Sequence, residues 1–306
     1  MDHLVVGAFS LSVLLSVARR SGRLEEQDLT VEEVPVPSSP AQFRALLAGE
    51  LDVAFTSPDN VLAYRFDPGN PLGTLADVRI LSTVDRGLGL GLYGRPGLTP
   101  EDVRDPRLVF GVDVATSGFA LAMYALAESL GAPRASLELL ALGSTPRRLE
   151  ALVDGGCDAT MLNAGNELVA ERAGCPRLAG VAEVCGAYVG TVVCVHGEER
   201  LDPAHRLSRA LRLTAEDICA GRSDELARLE AADRLSLPQD LAARYVERLR
   251  SPTEGLILDE HPDRAGLRTV VELRRRFLPT EVDGVDVLDA ALSDESGLIC
   301  AGTSSG

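Results

Sequence analysis

The hydrophobic positions of this chain fall into two alternating rhythms. HLVVGAF (3–9) is an apolar run of buried-strand length. A helical spacing follows it, capped by Ser10 or Ser12, and predicts a helix to about Gln27. LTVEEVPVP (29–37) alternates as a strand does. Ser38-Ser39-Pro40 then opens the helix AQFRALLAG, with hydroxyls to accept orphan N–H groups and a proline near the first helical position. LDVAFTS (51–57) is a short buried strand, Pro58-Asp59-Asn60 opens another helix, and RILSTV (79–84) is a further strand. The order β-α-β-α-β predicts parallel strands joined by right-handed crossovers.

After the Gly-rich, extended stretch GLGLGLYG (87–94) the alternation restarts. RLVFGVDV, LELLALG and CDATMLN are strand patterns, and SGFALAMYALAESLG, TPRRLEALVDGG and GNELVAERAG are helical ones. AYVGTVVCVHG (187–197) is one more strand. Residues 203–278 are almost wholly helical, with caps at Ser223-Asp224, Pro238 and Pro262. The segment from Glu281 onward reads as a mobile tail. No tandem repeat of solenoid period appears. The pattern predicts an α/β chain of two lobes, residues 1–88 with 190–306 and residues 89–189. Each lobe is a mainly parallel sheet flanked by helices, the C-terminal region is helical, and a ligand cleft lies between the lobes.

Composition narrows the partners. A length of 306 residues with 45% hydrophobic content can fill a core. The net charge of −16, the absence of tryptophan and the lack of a basic patch argue against nucleic acid and anionic membrane surfaces. All 30 basic residues are arginine, so no Schiff base and no P-loop lysine can form. The apolar run from Leu11 to Ala18 is too short to span a bilayer, and the N-terminus lacks a basic n-region and cleavage site. As written, the chain reads as cytoplasmic, or as periplasmic or extracellular if a signal was removed. The six cysteines show no zinc spacing, the four histidines have no partner at motif spacing, and no acidic metal cluster appears. Neither metal nor cofactor is expected.

In open α/β sheets ligands bind at the carboxyl ends of strands. GVDVATSGFALAM is the most pointed example, because a strand there runs through Thr116, Ser117 and Gly118 into a helix. Such a turn either caps the helix or offers an anion its N–H groups. Arg86 at another strand end would suit bidentate anion capture, or would pair with Asp85 or another carboxylate. Arg147 and Arg148, at a helix start, read as solvated. Asp59 and Asn60 either cap their helix or recognise a hydrogen-bond donor on a ligand.

ALLAGELDVAFTSPDNVLAYR, STVDRGLGL, GVDVATSGFALAM and LGSTPRRLEALVDGGCDATMLN together resemble the type II periplasmic-binding-protein fold. Within it they resemble the solute-binding proteins of ABC transporters for sulfonates, nitrate, taurine and pyrimidine precursors (the NMT1/THI5-like group), over residues 3–275. The resemblance implies two lobes that close on a small ligand, and an ABC permease as partner if the chain is exported. Carried over by position, the ligand-contacting residues are Phe9, Ser10, Ser38, Ser57, Asp59, Asn60, Arg86, Thr116, Ser117, Phe119, Asn163, Asn166 and Tyr188. The chain departs from the group in lacking an export signal and the cysteine-, lysine- and histidine-dependent site of the pyrimidine synthases. Two functions follow: a protein that binds a small polar or anionic organic molecule in the inter-lobe cleft with hinge closure and no chemistry, or a cytosolic, cofactor-independent lyase, decarboxylase or dehydratase on the same fold, acting on a small aromatic or carboxylic-acid metabolite.

Overall fold

A computed structural model describes residues 1–300. The chain runs β1 (Asp2–Ala8), α1 (Val13–Arg20), β2 (Leu29–Pro35), α2 (Ser39–Leu47), β3 (Val53–Thr56), α3 (Pro58–Phe66) and β4 (Val78–Asp85). It continues with β5 (Gly91–Gly94), β6 (Val109–Val112), α4 (Gly118–Ser129), β7 (Glu138–Ala141), α5 (Thr145–Val153), β8 (Ala159–Leu162), α6 (Asn166–Arg172), β9 (Arg177–Gly180), α7 (Val181–Cys185) and β10 (Thr191–His196). Helices α8 (Leu201–Cys219), α9 (Asp224–Arg234), α10 (Gln239–Leu249) and α11 (Arg264–Phe277) follow, then a small hairpin of β11 (Glu281–Val282) and β12 (Val285–Asp286).

Two five-stranded sheets result, ordered β2-β1-β3-β10-β4 and β7-β6-β8-β5-β9. In each sheet four strands run one way and a single strand opposes them, β10 in the first and β5 in the second. The opposed strand is in each case the one the chain lays down on arriving from the other sheet. The two lobes are therefore interlocked at two crossings.

The lobes also repeat one another. Displaced by 106 positions and without a gap, Ser38/Ser144, Pro40/Pro146, Ala45/Ala151, Leu46/Leu152, Gly49/Gly155 and Asp52/Asp158 coincide. The coincidences have a physical cause in the hydrogen bonds. Asp52 Oδ2 accepts the N–H of Val5 at 2.8 Å, and Asp158 Oδ2 accepts that of Val109 at 2.8 Å. Each aspartate thus ties its lobe's first strand to the foot of the third. An arginine closes each outer side: Arg200 Nε lies 2.8 Å from Asp52 and Arg95 Nε 2.6 Å from Asp158.

Local structure departs from the sequence reading in four places. Helix α1 stops at Arg20, and a 3-10 turn at Glu25–Gln27 completes the predicted span. Ser12, not Ser10, caps it, accepting from Leu15 N. Strand β9 and helix α7 were not anticipated, because Arg177–Gly180 is too short and mixed to show a period. The tail from Glu281 is not a loose end: Leu288, Ala291 and Leu298 are buried, and Ile299 pairs in parallel with Ile80 to extend the first sheet. Residues 301–306, including Gly-Thr-Ser-Ser-Gly, lie outside the described residues.

The repeat makes a testable demand. Removing a half-buried acceptor leaves its N–H partner short of a bond at a cost of about 1 kcal/mol. Asp52→Ala and Asp158→Ala should each lower unfolding free energy by that amount in urea titration, and by similar amounts because the roles are equivalent.

Candidate ligand-binding cleft

Helix α3 follows β3 in the first lobe, and helix α4 follows β6 in the second. Ser57 caps α3, its hydroxyl accepting from Asp59 N at 3.3 Å, and Ser117 caps α4, accepting from Ala120 N at 3.1 Å. The two N-termini meet. A Cβ placed on Gly118 would stand 2.8 Å from Asp59 Cβ and 3.1 Å from Ser57 Oγ. Glycine at 118 is thus what lets the two lobes touch, a role different from making room for a ligand.

The carboxylates here are already engaged. Asp59 is buried, and both its oxygens accept from Arg274 Nη1 of α11 at 3.1 and 3.2 Å. Burial raises its pKa, and the Arg274 charge opposes that rise. Asp113 accepts the Ser117 hydroxyl. Asn60 Nδ2 donates to Thr56 Oγ1 at 3.0 Å. Thr116 is exposed beside Ser117, and Phe119 is half-buried. Phe9 (43% exposed) and Ser10 leave the end of β1 uncovered, and exposed Ser38 caps α2 by accepting from Ala41 N.

The remaining predicted residues lie at the crossings. Arg86 pairs with Asp263, the cap of α11, and not with Asp85. Asn163 Nδ2 donates to Gly87 O at 3.1 Å, and Asn166 Nδ2 to Asn163 O at 3.1 Å. Tyr188 is 1% exposed, and burial pushes its phenol up. Arg86, Asn163, Asn166 and Tyr188 thus form a hinge group, apart from the residues where the two helices meet.

The sequence places the crossing at this Gly-rich stretch, but not the contacts that hold it. Gly87, Leu88 and Gly89 all take positive φ, at 96°, 50° and 80°. Leu88 is clasped on both sides: its N–H donates to Glu254 O at 2.8 Å and its carbonyl accepts from Ala164 N at 2.9 Å. Behind it is a buried charge chain. Glu254 accepts from both Arg177 of β9 and Arg248 of α10. Arg248 Nε lies 3.8 Å from Glu167 of α6. Glu167 is fully buried, accepts Gly165 N at 2.7 Å with one oxygen, and leaves the other without a hydrogen-bond partner.

The sequence reading also placed Arg148 in solvent, and the structure corrects this: the residue is 2% exposed. The first turn of α5 faces the strand ends, so its guanidinium folds inward while Arg147 stays exposed. The repeat was the signal that would have found it, since Arg148 aligns with Gln42, another fully buried residue.

No family model matches the chain, and no curated protein matches its sequence. Solved structures do match its architecture. A protein from Bordetella bronchiseptica RB50 shares 15% identity at a TM-score of 0.73, over 99% of this chain and 95% of the other. A conserved Candida albicans gene product with the generic periplasmic binding protein fold shares 15% at 0.72, over 98% and 96%. The alkanesulfonate-binding protein SsuA from Xanthomonas axonopodis pv. citri, bound to MOPS, shares 17% at 0.70, over 92% and 95%.

The chain has the periplasmic-binding-protein fold.

The start of α4 meets the start of α3 from the other lobe, and Gly87–Gly89 lies at one of the two crossings between the sheets. Among the described residues no helix is long and apolar enough to cross a membrane, and no cluster of potential metal ligands occurs.

Two outcomes follow from this geometry. Gly118→Val, which keeps the helix start but adds bulk between the lobes, should enlarge the radius of gyration in small-angle scattering without loss of helical content. Burial pushes Glu167 up to about 7 from an ordinary 4.5. The folded chain therefore binds more protons than the unfolded one between those values, and this group costs stability as pH rises. The loss should amount to about 2–3 kcal/mol between pH 5 and pH 8. Urea titrations at both pH values should show that difference shrink in Glu167→Gln.

Proposed function

We propose that the chain binds a small polar or anionic organic molecule between its lobes and closes on it by bending at the two crossings, without altering it. The observation that carries this reading is the meeting of two helix N-termini from different lobes at Gly118 and Ser57–Asp59. Each N-terminus presents backbone donors and a positive dipole end, which suit the acceptor atoms of a ligand. Thr116 and Ser117 supply hydroxyls on one side, Ser57 and Ser10 on the other, and exposed Phe9 offers an apolar surface beside them.

The structures that share the fold support the reading. They include an alkanesulfonate-binding protein, a nitrate-binding protein and the ligand-binding component of an ABC-type import system. An ABC permease is the corresponding partner if the chain is exported, and a cleft that closes on its ligand is the part such a permease would read. The hinge group serves closure: Asn163 and Asn166 tie the second lobe to Gly87, and Arg86 fixes the start of α11.

The test is a thermal-shift screen of amino acids, carboxylates, sulfonates and neutral amides, followed by calorimetry on any hit. Ligand at about 100 times its Kd stabilises the folded state by roughly 2.7 kcal/mol. Thr116→Ala/Ser117→Ala should keep its fold yet bind at least about tenfold more weakly, a loss of about 1.4 kcal/mol. No stabilising compound, or unchanged affinity in the double variant, would overturn the reading. Conversion of the bound compound, followed by NMR, would mark an enzyme instead.

A further inference from the structure

The charge chain behind the Gly87–Gly89 crossing is divided unevenly between its two carboxyl groups. Glu254 accepts from two arginines, Arg177 and Arg248. Glu167 accepts from neither. Arg248 Nε stands 3.8 Å from its Oε1, and that buried oxygen has no hydrogen-bond partner. The other oxygen accepts Gly165 N at 2.7 Å. Two more buried polar atoms nearby, the Tyr93 hydroxyl and Arg177 Nε, are unpartnered too. An unpaired buried oxygen is costly, and far more so once it carries charge. A shift that paired Glu167 Oε1 would therefore be favoured by ionisation.

The cluster spans the crossing. Glu167 belongs to α6, which shares a core with Tyr93 of β5 and Leu152 of α5 in the second lobe. Arg248 belongs to α10, whose Leu241, Tyr245 and Leu249 pack in the core of the first sheet. Gly89 touches both groups: a Cβ there would stand 2.9 Å from Arg248 Nε and 3.0 Å from Glu167 Oε1. Glu254 holds the crossing with its backbone as well, through Leu88 N. Of the elements packed on α6, α10 presents Arg248 and Tyr245, β5 presents Tyr93, and α5 presents apolar Leu149 and Leu152. Burial raises both phenols, so they stay neutral while Glu167 titrates. Farther out, Arg244 and Asp240 of α10 pair with Glu171 and Arg172 of α6.

A neutral Glu167 fits this arrangement, because it exerts no pull on Arg248. An ionised one does, and hydrogen-bond contact, at about 2.8 Å, is roughly 1 Å nearer. Closing that gap moves α10 against α6 across the crossing. Gly118 already stands against Asp59 where the lobes meet, so a turn that starts from here parts them at that point. Burial pushes the Glu167 pKa up to about 7 against the Arg248 charge, which brings the change within reach of neutral pH.

We infer that a proton on Glu167 sets the angle between the lobes. While it is held the lobes stay in contact; its loss to solvent draws Arg248 from Glu254 to Glu167 and parts them. This rests on the reading that the lobes bend at the crossings, and it adds a control to that bending.

Small-angle scattering of the ligand-free chain at about pH 5.5 and about pH 8.5 tests it. The radius of gyration should rise with pH, from a midpoint of about 7 upward, and reverse on acidification. Glu167→Gln, which keeps the shape of the protonated group, should hold the acid value at both pH values. Arg248→Gln removes what an ionised Glu167 would draw in, and should hold it too; this variant serves if Glu167→Gln does not fold. An unchanged radius in wild type would overturn the inference, even if carbon-13 NMR showed the Glu167 carboxyl titrating, since that carboxyl would then be structural only. A rise of equal size in Glu167→Gln would assign the motion to another group and overturn it as well. No ligand enters these measurements, so the compound screen above decides the binding reading separately.

Discussion

Everything in this fold hangs on how closely two strands of backbone can pass between the lobes. At the crossing, a Cβ on Gly190 would lie 2.4 Å from Asp85 Oδ1, 2.6 Å from Gly87 Cα and 2.7 Å from Gly87 N. No side chain fits there. The contact is held by bonds at the same point: Gly190 N donates to Asp85 O at 2.9 Å, and the Asp85 carboxylate accepts Gly87 N at 2.8 Å. Both crossings are thus pressed into one narrow waist. The waist also decides which strand of each sheet runs backwards, since β5 and β10 start just beyond it.

The C-terminal helices brace this waist from outside. Helix α11 lies against α3 and α4, with Arg134 Nη1 donating to Phe277 O at 2.6 Å and the Tyr124 and Phe277 rings meeting edge-on at 5.6 Å. Helix α10 lies against α6, and Arg244 of α10 pairs with Glu171. Arg274 reaches from α11 to Asp59 at the meeting of the lobes, and Arg248 reaches from α10 towards Glu167 behind the hinge. One helical region therefore touches both the point where the lobes meet and the crossing at Gly87–Gly89. Buried ion pairs add little net stability, but breaking one partner is costly, so they serve well as fixed positions.

The parts of this arrangement that local rules govern were legible in the sequence. Hydroxyl caps at Ser38, Ser57 and Ser117, the strand-helix alternation and the two-lobed plan all follow from periodicity and cap chemistry. Contacts between distant segments were not. Arg86 finds Asp263, 177 residues away, and Asp59 finds Arg274, 215 residues away, and no local pattern marks either pair. Arg148 was misread for a different reason. A helix-start arginine is usually solvated, and only comparison with Gln42 shows that this position turns inward. The internal repeat carries long-range information in one sequence, because a residue's fate in one lobe predicts its twin's.

The repeat also bears on how so acidic a chain could hold a polar or anionic ligand of the kind proposed. A net charge of −16 repels anions at a distance, but salt confines that field to about 8–10 Å at physiological ionic strength. A group already inside the cleft feels what lies within a few ångströms, and there the sign is set by unscreened neighbours. Near Ser117 these are the end of α4, the Arg148 guanidinium and the opposing carboxylate of Asp113, while Asp59 is neutralised by Arg274. With no lysine in the chain, a fixed cation had to be arginine, and arginine can hold strand-end carbonyls with some donors while keeping its charge. Position 148 is where a structural donor was already needed. Replacing an amide by a guanidinium there adds charge without adding a new element to the fold.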